Sequence, residues 1–220
     1  PKTFSRNIVV AADPAIVKLV AGLDMLVEYP YGCTEQRLAL ARASLSLKGF
    51  SPILSAAGLQ DRVSASVRNA AMQIEQSVDS DGLVAFWPRA RGNVLLTAWA
   101  YAFLAHADRA GEPVDKTLME RLANILKLSL RSDYARLLGG EEMRERAAAL
   151  AALAEGGTLD ESYVAEFARR ADFLPNESVA EMAAAAARLA NVDQRILASL
   201  METMWGRVKF ASRGGAQVYV

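Results

Sequence analysis

The sequence has very few of the side chains on which metal and disulfide chemistry depend. Its 220 residues include one cysteine, Cys33, and one histidine, His106. An intramolecular disulfide is therefore excluded, and a zinc site made of cysteine and histidine ligands is very difficult to assemble. We expect no metal and no cofactor. A lone cysteine is most often a buried, inert core residue, so only its neighbours can give Cys33 another role.

Neither the charge nor the hydrophobic runs point to nucleic acids or membranes. Lys+Arg and Asp+Glu both count 25, so no basic excess favours binding to nucleic acid. No apolar run reaches the roughly 20 residues that a membrane-spanning helix needs. The chain begins at Pro1 without an initiator methionine or a signal-peptide pattern, which favours a piece of a longer protein. We expect neither a nucleic-acid partner nor membrane contact from this part.

Most of the chain is predicted to be helical, because alanine and leucine dominate its 52% hydrophobic content. Short connections rich in glycine, proline and asparagine separate the predicted helices. A β-branched segment at 6–12 predicts an extended lead-in, and the tail at 207–220 has a hairpin-like pattern around Gly214-Gly215. Helices are predicted at about 13–28, 34–48, 61–78, 93–110, 115–130, 141–155, 160–171, 177–190 and 193–204.

Two kinds of helix are present, and together they predict a layered all-α fold. The segments 93–106 and 181–190 are apolar nearly all round and must be enclosed, whereas 115–130 and 160–171 have a charged face. This combination favours an α/α toroid of antiparallel helical hairpins, with inner and outer helix rings and short β segments at the termini. A solenoid is less favoured, since no repeat of about 34 to 47 residues is visible. The predicted divisions are a lead-in at 1–12, the toroid domain at 13–206 and a β segment at 207–220 leading to an adjoining domain.

The segment Tyr-Pro-Tyr-Gly-Cys-Thr-Glu-Gln at 29–36 carries the most informative chemistry. Pro30 and Gly32 break the preceding helix, so Cys33 falls at the start of the next one, where unpaired backbone N–H groups increase thiol reactivity. Gln36 lies three residues later and therefore on the same helical face. Attack of the thiol on this carboxamide, with loss of ammonia, would form an internal thioester.

The same segment resembles the thioester motif of the alpha-2-macroglobulin and complement superfamily. Gly-Cys-x-Glu-Gln is the shared pattern, and Tyr-Pro-Tyr-Gly before it is similar to the bacterial branch, although bacterial members usually have leucine at the position of Thr34. The segments 81–87 and 96–100 also resemble the family's helix-entry segment. In the family this domain is an α/α toroid, which agrees with the layered fold predicted above.

The resemblance implies a single-use covalent protease trap and not a turnover enzyme. A lysine amine of the target protease would attack the Gln36 acyl carbon, and Cys33 would leave as thiolate. Tyr29 would shield the bond from water, and Tyr31 is a second candidate for that role. Glu35 would polarise the bond locally or cap the helix. The implied partners are target proteases and the other domains of the same full-length chain. The implied location is the periplasm or cell envelope.

Two other functions remain open on the residues alone. A helical toroid enzyme would need paired carboxylates around a cavity or a metal set, but Asp79, Asp81 and Asp160 are scattered in turns and resemble caps. The remaining alternative is a binding scaffold in which Cys33 is inert.

The position of the single histidine predicts which nucleophile the thioester prefers. Some members of the family use a histidine for acyl transfer to hydroxyls, in a segment that corresponds here to about 132–145 and contains no histidine. His106 lies near the end of an apolar helix, where a packing or capping role is expected. Trp87 and Trp99 are likewise expected in the core. Direct attack by lysine amines is therefore predicted.

Overall fold

The computed structural model describes residues 10, 17–18, 32–48, 60–131, 133, 138–139, 141–213 and 216–219. The predicted strand at 6–12 and helix at 13–28 lie almost entirely outside the described residues. The chain divides into two compact units, Pro1–Gln73 and Ile74–Val220, and each is described by itself.

Eight α-helices cover most of the described residues. In the first unit, α1 is Thr34–Leu47 and α2 is Gln60–Gln76, whose last three residues belong to the second unit. The helices of the second unit are α3 (Val94–Arg109), α4 (Lys116–Leu130), α5 (Glu142–Glu155), α6 (Ser162–Ala168), α7 (Asn176–Arg188) and α8 (Gln194–Gly206). A 3₁₀ turn, Ala171–Phe173, follows α6.

The predicted starts of α3, α4 and α8 are confirmed, and local capping accounts for them. The side chain of Asn93 accepts a hydrogen bond from the backbone N–H of Leu96 at 2.8 Å at the start of α3. Asp115 and Asp193 cap α4 and α8 in the same way. The predicted end of the helix at 160–171 is wrong, since α6 stops at Ala168.

Alternate helices of the second unit lie side by side. Helix α3 contacts α5, and α5 contacts α7, so these three form a row. Helix α4 contacts both α3 and α5, whereas α8 contacts α7 and α6. Helices α3 and α5 are buried on nearly all sides, whereas α7 has an exposed face and α8 buries only Leu200 among its described residues. The prediction that the apolar segment 93–106 is enclosed is thus confirmed, whereas the segment 181–190 is only partly enclosed, since Ala187, Arg188 and Ala190 are exposed.

A close approach between α3 and the end of α5 depends on a glycine. Gly156 is the C-cap of α5, and a β-carbon built on it would lie 2.1 Å from the hydroxyl oxygen of Tyr101. The Tyr101 ring is 2% exposed, and its hydroxyl bonds the Thr158 hydroxyl at 3.1 Å. The buried ring therefore occupies the space that any side chain at position 156 would need.

Gly156→Ala should destabilise the chain by about 1–3 kcal/mol, the usual cost of inserting a methyl group into a filled core. Urea denaturation measures this. Gly206→Ala is the matched control, because no atom of the described residues, apart from its chain neighbours and its own helix backbone, lies within 4 Å of a β-carbon built there. Equal stability of the two variants would contradict the assigned contact.

Glu181 of α7 is a partly buried carboxyl with an altered proton affinity. Burial raises the pKa of Glu181 to about 7, the Glu177 carboxylate adds to the increase, and the Arg144 guanidinium opposes it. Its Oε2 atom is buried and has no hydrogen-bond partner among the described residues. The folded chain therefore holds this proton more tightly than an unfolded chain does.

Glu181→Gln should be more stable than the wild type at about pH 8, by on the order of 1 kcal/mol after solvent screening. The folded-state pKa of about 7 exceeds the ordinary value of 4.5, so the stability of the wild type falls as the pH rises between them. The advantage of the variant should vanish below pH 4.5. Urea denaturation on both sides of this pH range measures the difference. Glu166→Gln is the matched control, because it removes the same charge from an exposed position on α6. An equal pH response in Glu166→Gln would contradict the assignment.

The predicted C-terminal hairpin is confirmed. Strands β1 (Phe210–Arg213) and β2 (Ala216–Tyr219) pair antiparallel, with Phe210 opposite Tyr219 and Arg213 opposite Ala216. Among the described residues, the helices are all too short or too polar to cross a bilayer.

Candidate functional site

Cys33 is the N-cap of α1, as the sequence predicted. Its backbone is extended, with φ −66° and ψ 171°, and its carbonyl accepts the first helical hydrogen bond from the N–H of Arg37 at 3.0 Å. The side chain is half-buried and is not in a disulfide. The thiol therefore lies at the helix end where backbone N–H groups lack helical partners.

The side chain of Gln36 folds back onto Cys33. Its Oε1 atom accepts a hydrogen bond from the backbone N–H of Cys33 at 3.1 Å. In return, the Cys33 side chain faces the backbone N–H of Gln36, which completes the reciprocal arrangement of a capping box. Serine or threonine usually occupies the first position of this motif, so a cysteine there places a nucleophile beside an amide. The carboxamide carbonyl is held against the residue that carries the thiol.

Arg37 holds the turn before the helix, a role that the sequence analysis missed. Its Nε atom donates to the carbonyl oxygen of Gly32 at 3.0 Å. Gly32 is buried, and a β-carbon built on it would lie 3.3 Å from Cγ of Arg37. The arginine stem thus crosses the glycine closely. Helical spacing could have indicated that Arg37 lies near this turn, since it is one helical turn after Cys33.

The two other residues of the motif that the structure describes differ in burial. Glu35 is partly exposed in the first turn of α1, where a negative charge is favourable next to the helix dipole. Thr34 is 1% exposed, and its hydroxyl accepts a hydrogen bond from Nε2 of Gln73 on α2 at 3.5 Å. Position 34 is therefore a packing position, which the sequence did not indicate.

Tyr29 and Tyr31 lie outside the described residues, so their shielding role stays a prediction. The structure brings Cys33 together with Gln36, Gly32 and Arg37.

Asp79 organises the loop that enters α3, as expected of a turn-forming carboxylate. Its Oδ1 atom accepts from the N–H groups of Asp81 and Leu83, each at 2.9 Å, and its Oδ2 atom accepts from Gly92 at 2.7 Å. A β-carbon at Gly92 would lie 2.5 Å from the Leu83 carbonyl. Asp160 similarly accepts from the N–H of Ser162 at 2.9 Å. These carboxylates bind backbone groups, and Asp79 does so with both of its oxygens.

One tryptophan differs from its expected position. Trp87 is 50% exposed in the loop before α3, so its assignment to the core is wrong. Hydrogen bonds between backbone groups shape this loop, and the ring lies on its outside. Trp99 is partly buried within α3, and His106 is partly buried in its last turn. In the described part of the chain, acidic, cysteine and histidine side chains form no cluster of three that could hold a metal.

The fold of this chain is similar to parts of known structures. No protein-family model and no curated protein matches the sequence. Solved structures of bacterial alpha-2-macroglobulins do match it, which confirms the predicted resemblance at the level of the fold.

The individual matches share the fold at low sequence identity. A portion of native Escherichia coli alpha-2-macroglobulin that extends to its C-terminus aligns with 85% of this chain, at 20% identity and a TM-score of 0.68. Salmonella alpha-2-macroglobulin reacted with methylamine aligns with 84%, at 20% identity and a TM-score of 0.70. Trypsin-activated alpha-2-macroglobulin from E. coli aligns with 79%, at 19% identity and a TM-score of 0.65. The chain spans 30% of the first of these solved chains, which is itself a portion of its protein, and 12% and 13% of the other two.

Proposed function

We propose that this chain is the thioester-bearing domain of a bacterial alpha-2-macroglobulin-like protein that traps proteases covalently. The observation that carries the proposal is the hydrogen bond of 3.1 Å from the Cys33 N–H to Oε1 of Gln36. It holds the electrophilic carbonyl beside the only cysteine in the sequence. The fold shared with bacterial alpha-2-macroglobulins supports the same function.

The proposed thioester forms within one turn of helix. The Cys33 sulfur bonds to Cδ of Gln36, the bond from Cδ to the amide nitrogen breaks, and the thiol proton leaves with that nitrogen as ammonia. Orientation favours this step, because the capping box holds both groups on one face. The carbonyl oxygen stays on Gln36 and can keep its hydrogen bond to the Cys33 N–H.

Capture of a protease would then be a direct acyl transfer. A lysine amine of the protease bonds to Cδ of Gln36, the bond from Cδ to the Cys33 sulfur breaks, and the amine proton passes to the thiolate. The product is an amide that joins the protease to Gln36, with a free thiol on Cys33. Each chain reacts once, because the amide does not regenerate the thioester.

The remaining features of the proposal concern the whole protein. The described helices belong to an α/α toroid that occupies 13–206, and the segment 207–220, which contains the hairpin, leads to an adjoining domain. Tyr29 and Tyr31 shield the bond, and Glu35 supports the helix start. The partners are target proteases and the other domains of the full-length chain, in the periplasm or cell envelope. The trypsin-activated state of the E. coli neighbour supports a protease as partner.

Native chains should have a mass about 17 Da below the encoded value, which corresponds to one lost ammonia, and Cys33 should not react with a maleimide. Methylamine should then add about 31 Da and release one thiol per chain. Intact-mass spectrometry and thiol titration measure both changes. The methylamine-reacted state of the Salmonella neighbour makes this amine a suitable probe.

A full-mass chain with a freely reactive Cys33 immediately after purification would contradict the proposal. It would favour the alternative of a binding scaffold with an inert cysteine. The other alternative, a toroid enzyme, has less support because Asp79 and Asp160 bind backbone N–H groups.

A further inference from the structure

We infer that Arg37 is a positioning residue that keeps the Cys33 thiol and the Gln36 carboxamide in reach of each other. The inference rests on the proposed function, because it concerns the formation and lifetime of the same thioester. It assigns a role to a residue that lies just after the Gly-Cys-x-Glu-Gln pattern.

The peptide group between Gly32 and Cys33 is held at both of its polar ends. Its carbonyl oxygen accepts from Nε of Arg37 at 3.0 Å, and its N–H donates to Oε1 of Gln36 at 3.1 Å. Rotation of this peptide plane would break both hydrogen bonds together. The two neighbouring side chains thus fix its orientation.

Arg37 also holds the next carbonyl along the chain. Its own backbone N–H donates to the Cys33 carbonyl oxygen at 3.0 Å. One residue therefore bonds the carbonyl groups on both sides of the Cys33 α-carbon, and these bonds restrain the backbone angles that direct the thiol. Small misplacements of reacting groups have large effects on rate, so loss of this restraint matters for an intramolecular bond.

The glycine of the motif is explained by the same contact. A β-carbon at Gly32 would lie 3.3 Å from Cγ of Arg37 and 3.9 Å from Cβ of Gln36. The first distance is tighter than an ordinary contact, so a side chain at position 32 displaces the arginine stem. Gly32 allows Arg37 to cross the turn and reach the carbonyl.

Arg37→Met removes the Nε donor and keeps most of the stem. We expect the half-life of the 17-Da mass deficit, the loss predicted above, to shorten about tenfold. The melting temperature and helix content should stay at wild-type values. Arg42→Met is the matched control, since Arg42 is exposed on the same helix. A wild-type half-life in Arg37→Met would overturn the inference, as would an equal loss in Arg42→Met.

Amide hydrogen exchange at residue 33 tests the positioning without any thioester. In a Cys33→Ser background, which cannot form the bond, Arg37→Met should accelerate exchange of this N–H and Arg42→Met should not. Unchanged exchange would overturn the inference. A wild-type chain of full mass, by contrast, would refute the proposed function, and the exchange comparison would still decide whether Arg37 orients the turn.

Coupling between Gly32 and Arg37 gives a second, independent test. Gly32→Ala should shorten the half-life of the mass deficit in the wild-type background. The effect should be much smaller in Arg37→Ala, where the Cγ atom that it would meet is absent. Equal effects in both backgrounds would show that Gly32 does not act through Arg37 and would overturn this part of the inference.

Discussion

Gln36→Glu should abolish thioester formation, with at least about a hundredfold loss of methylamine incorporation. The substitution separates structure from chemistry, because a glutamate can still accept the hydrogen bond that Gln36 accepts from the Cys33 N–H. A carboxylate at neutral pH does not lose its oxygen to a thiol, whereas the amide can expel ammonia. Intact mass and thiol titration should show the encoded mass and one reactive thiol.

An exposed glutamine provides the control for Gln36→Glu. Gln76→Glu makes the same chemical change at the end of α2 and should leave the mass deficit in place. Incorporation of methylamine by Gln36→Glu at the wild-type level would place the acyl group on another residue. The proposed bond between Cys33 and Gln36 would then be wrong.

The thioester should react with methylamine at least about a hundredfold faster than with glycerol at equal concentration. A hydroxyl needs a general base to become a competent nucleophile, and its assistance is typically worth that factor or more. The only histidine in the sequence is His106, which is partly buried in the last turn of α3. Mass spectrometry of the two adducts after a fixed reaction time gives the ratio.

His106→Ala should leave the ratio of amine to hydroxyl adducts unchanged. A structural role for His106 can lower the melting temperature, but it does not alter the choice between two nucleophiles. A strong preference for glycerol that disappears in His106→Ala would show that this histidine takes over the acyl group. The assignment of His106 to a packing role would then be overturned.

The helix boundaries could be predicted because they depend on neighbouring residues. Asn93, Asp115 and Asp193 each cap a helix through a side chain that reaches N–H groups two or three residues ahead. The same reasoning failed at Ala168, where α6 ends before the predicted boundary. The 3₁₀ turn Ala171–Phe173 follows the end of α6. Leu174 is extended, as expected for the residue before Pro175.

The candidate site was predictable for a similar reason. Cys33 and Gln36 are three residues apart, and helical geometry alone brings residues at that spacing to one face. Their hydrogen bond at 3.1 Å agrees with this local rule. The bond to Gly32 from Arg37 obeys similar spacing, but the stem of an arginine can point in several directions. Its contact with the buried glycine decided the direction.

Tertiary structure alone decided the features that involve residues distant in sequence. The burial of Thr34 depends on residues beyond its own turn. One of them is Gln73, which lies 39 positions later in the sequence. The need for glycine at position 156 comes from the Tyr101 ring on another helix. Trp87 is apolar, yet backbone hydrogen bonds shape its loop and leave the ring half exposed. The sequence by itself therefore determined the helices and the proximity of Cys33 to Gln36, because both depend on neighbours within one turn. Burial and close approach depend on which distant surfaces meet, and periodicity does not specify that.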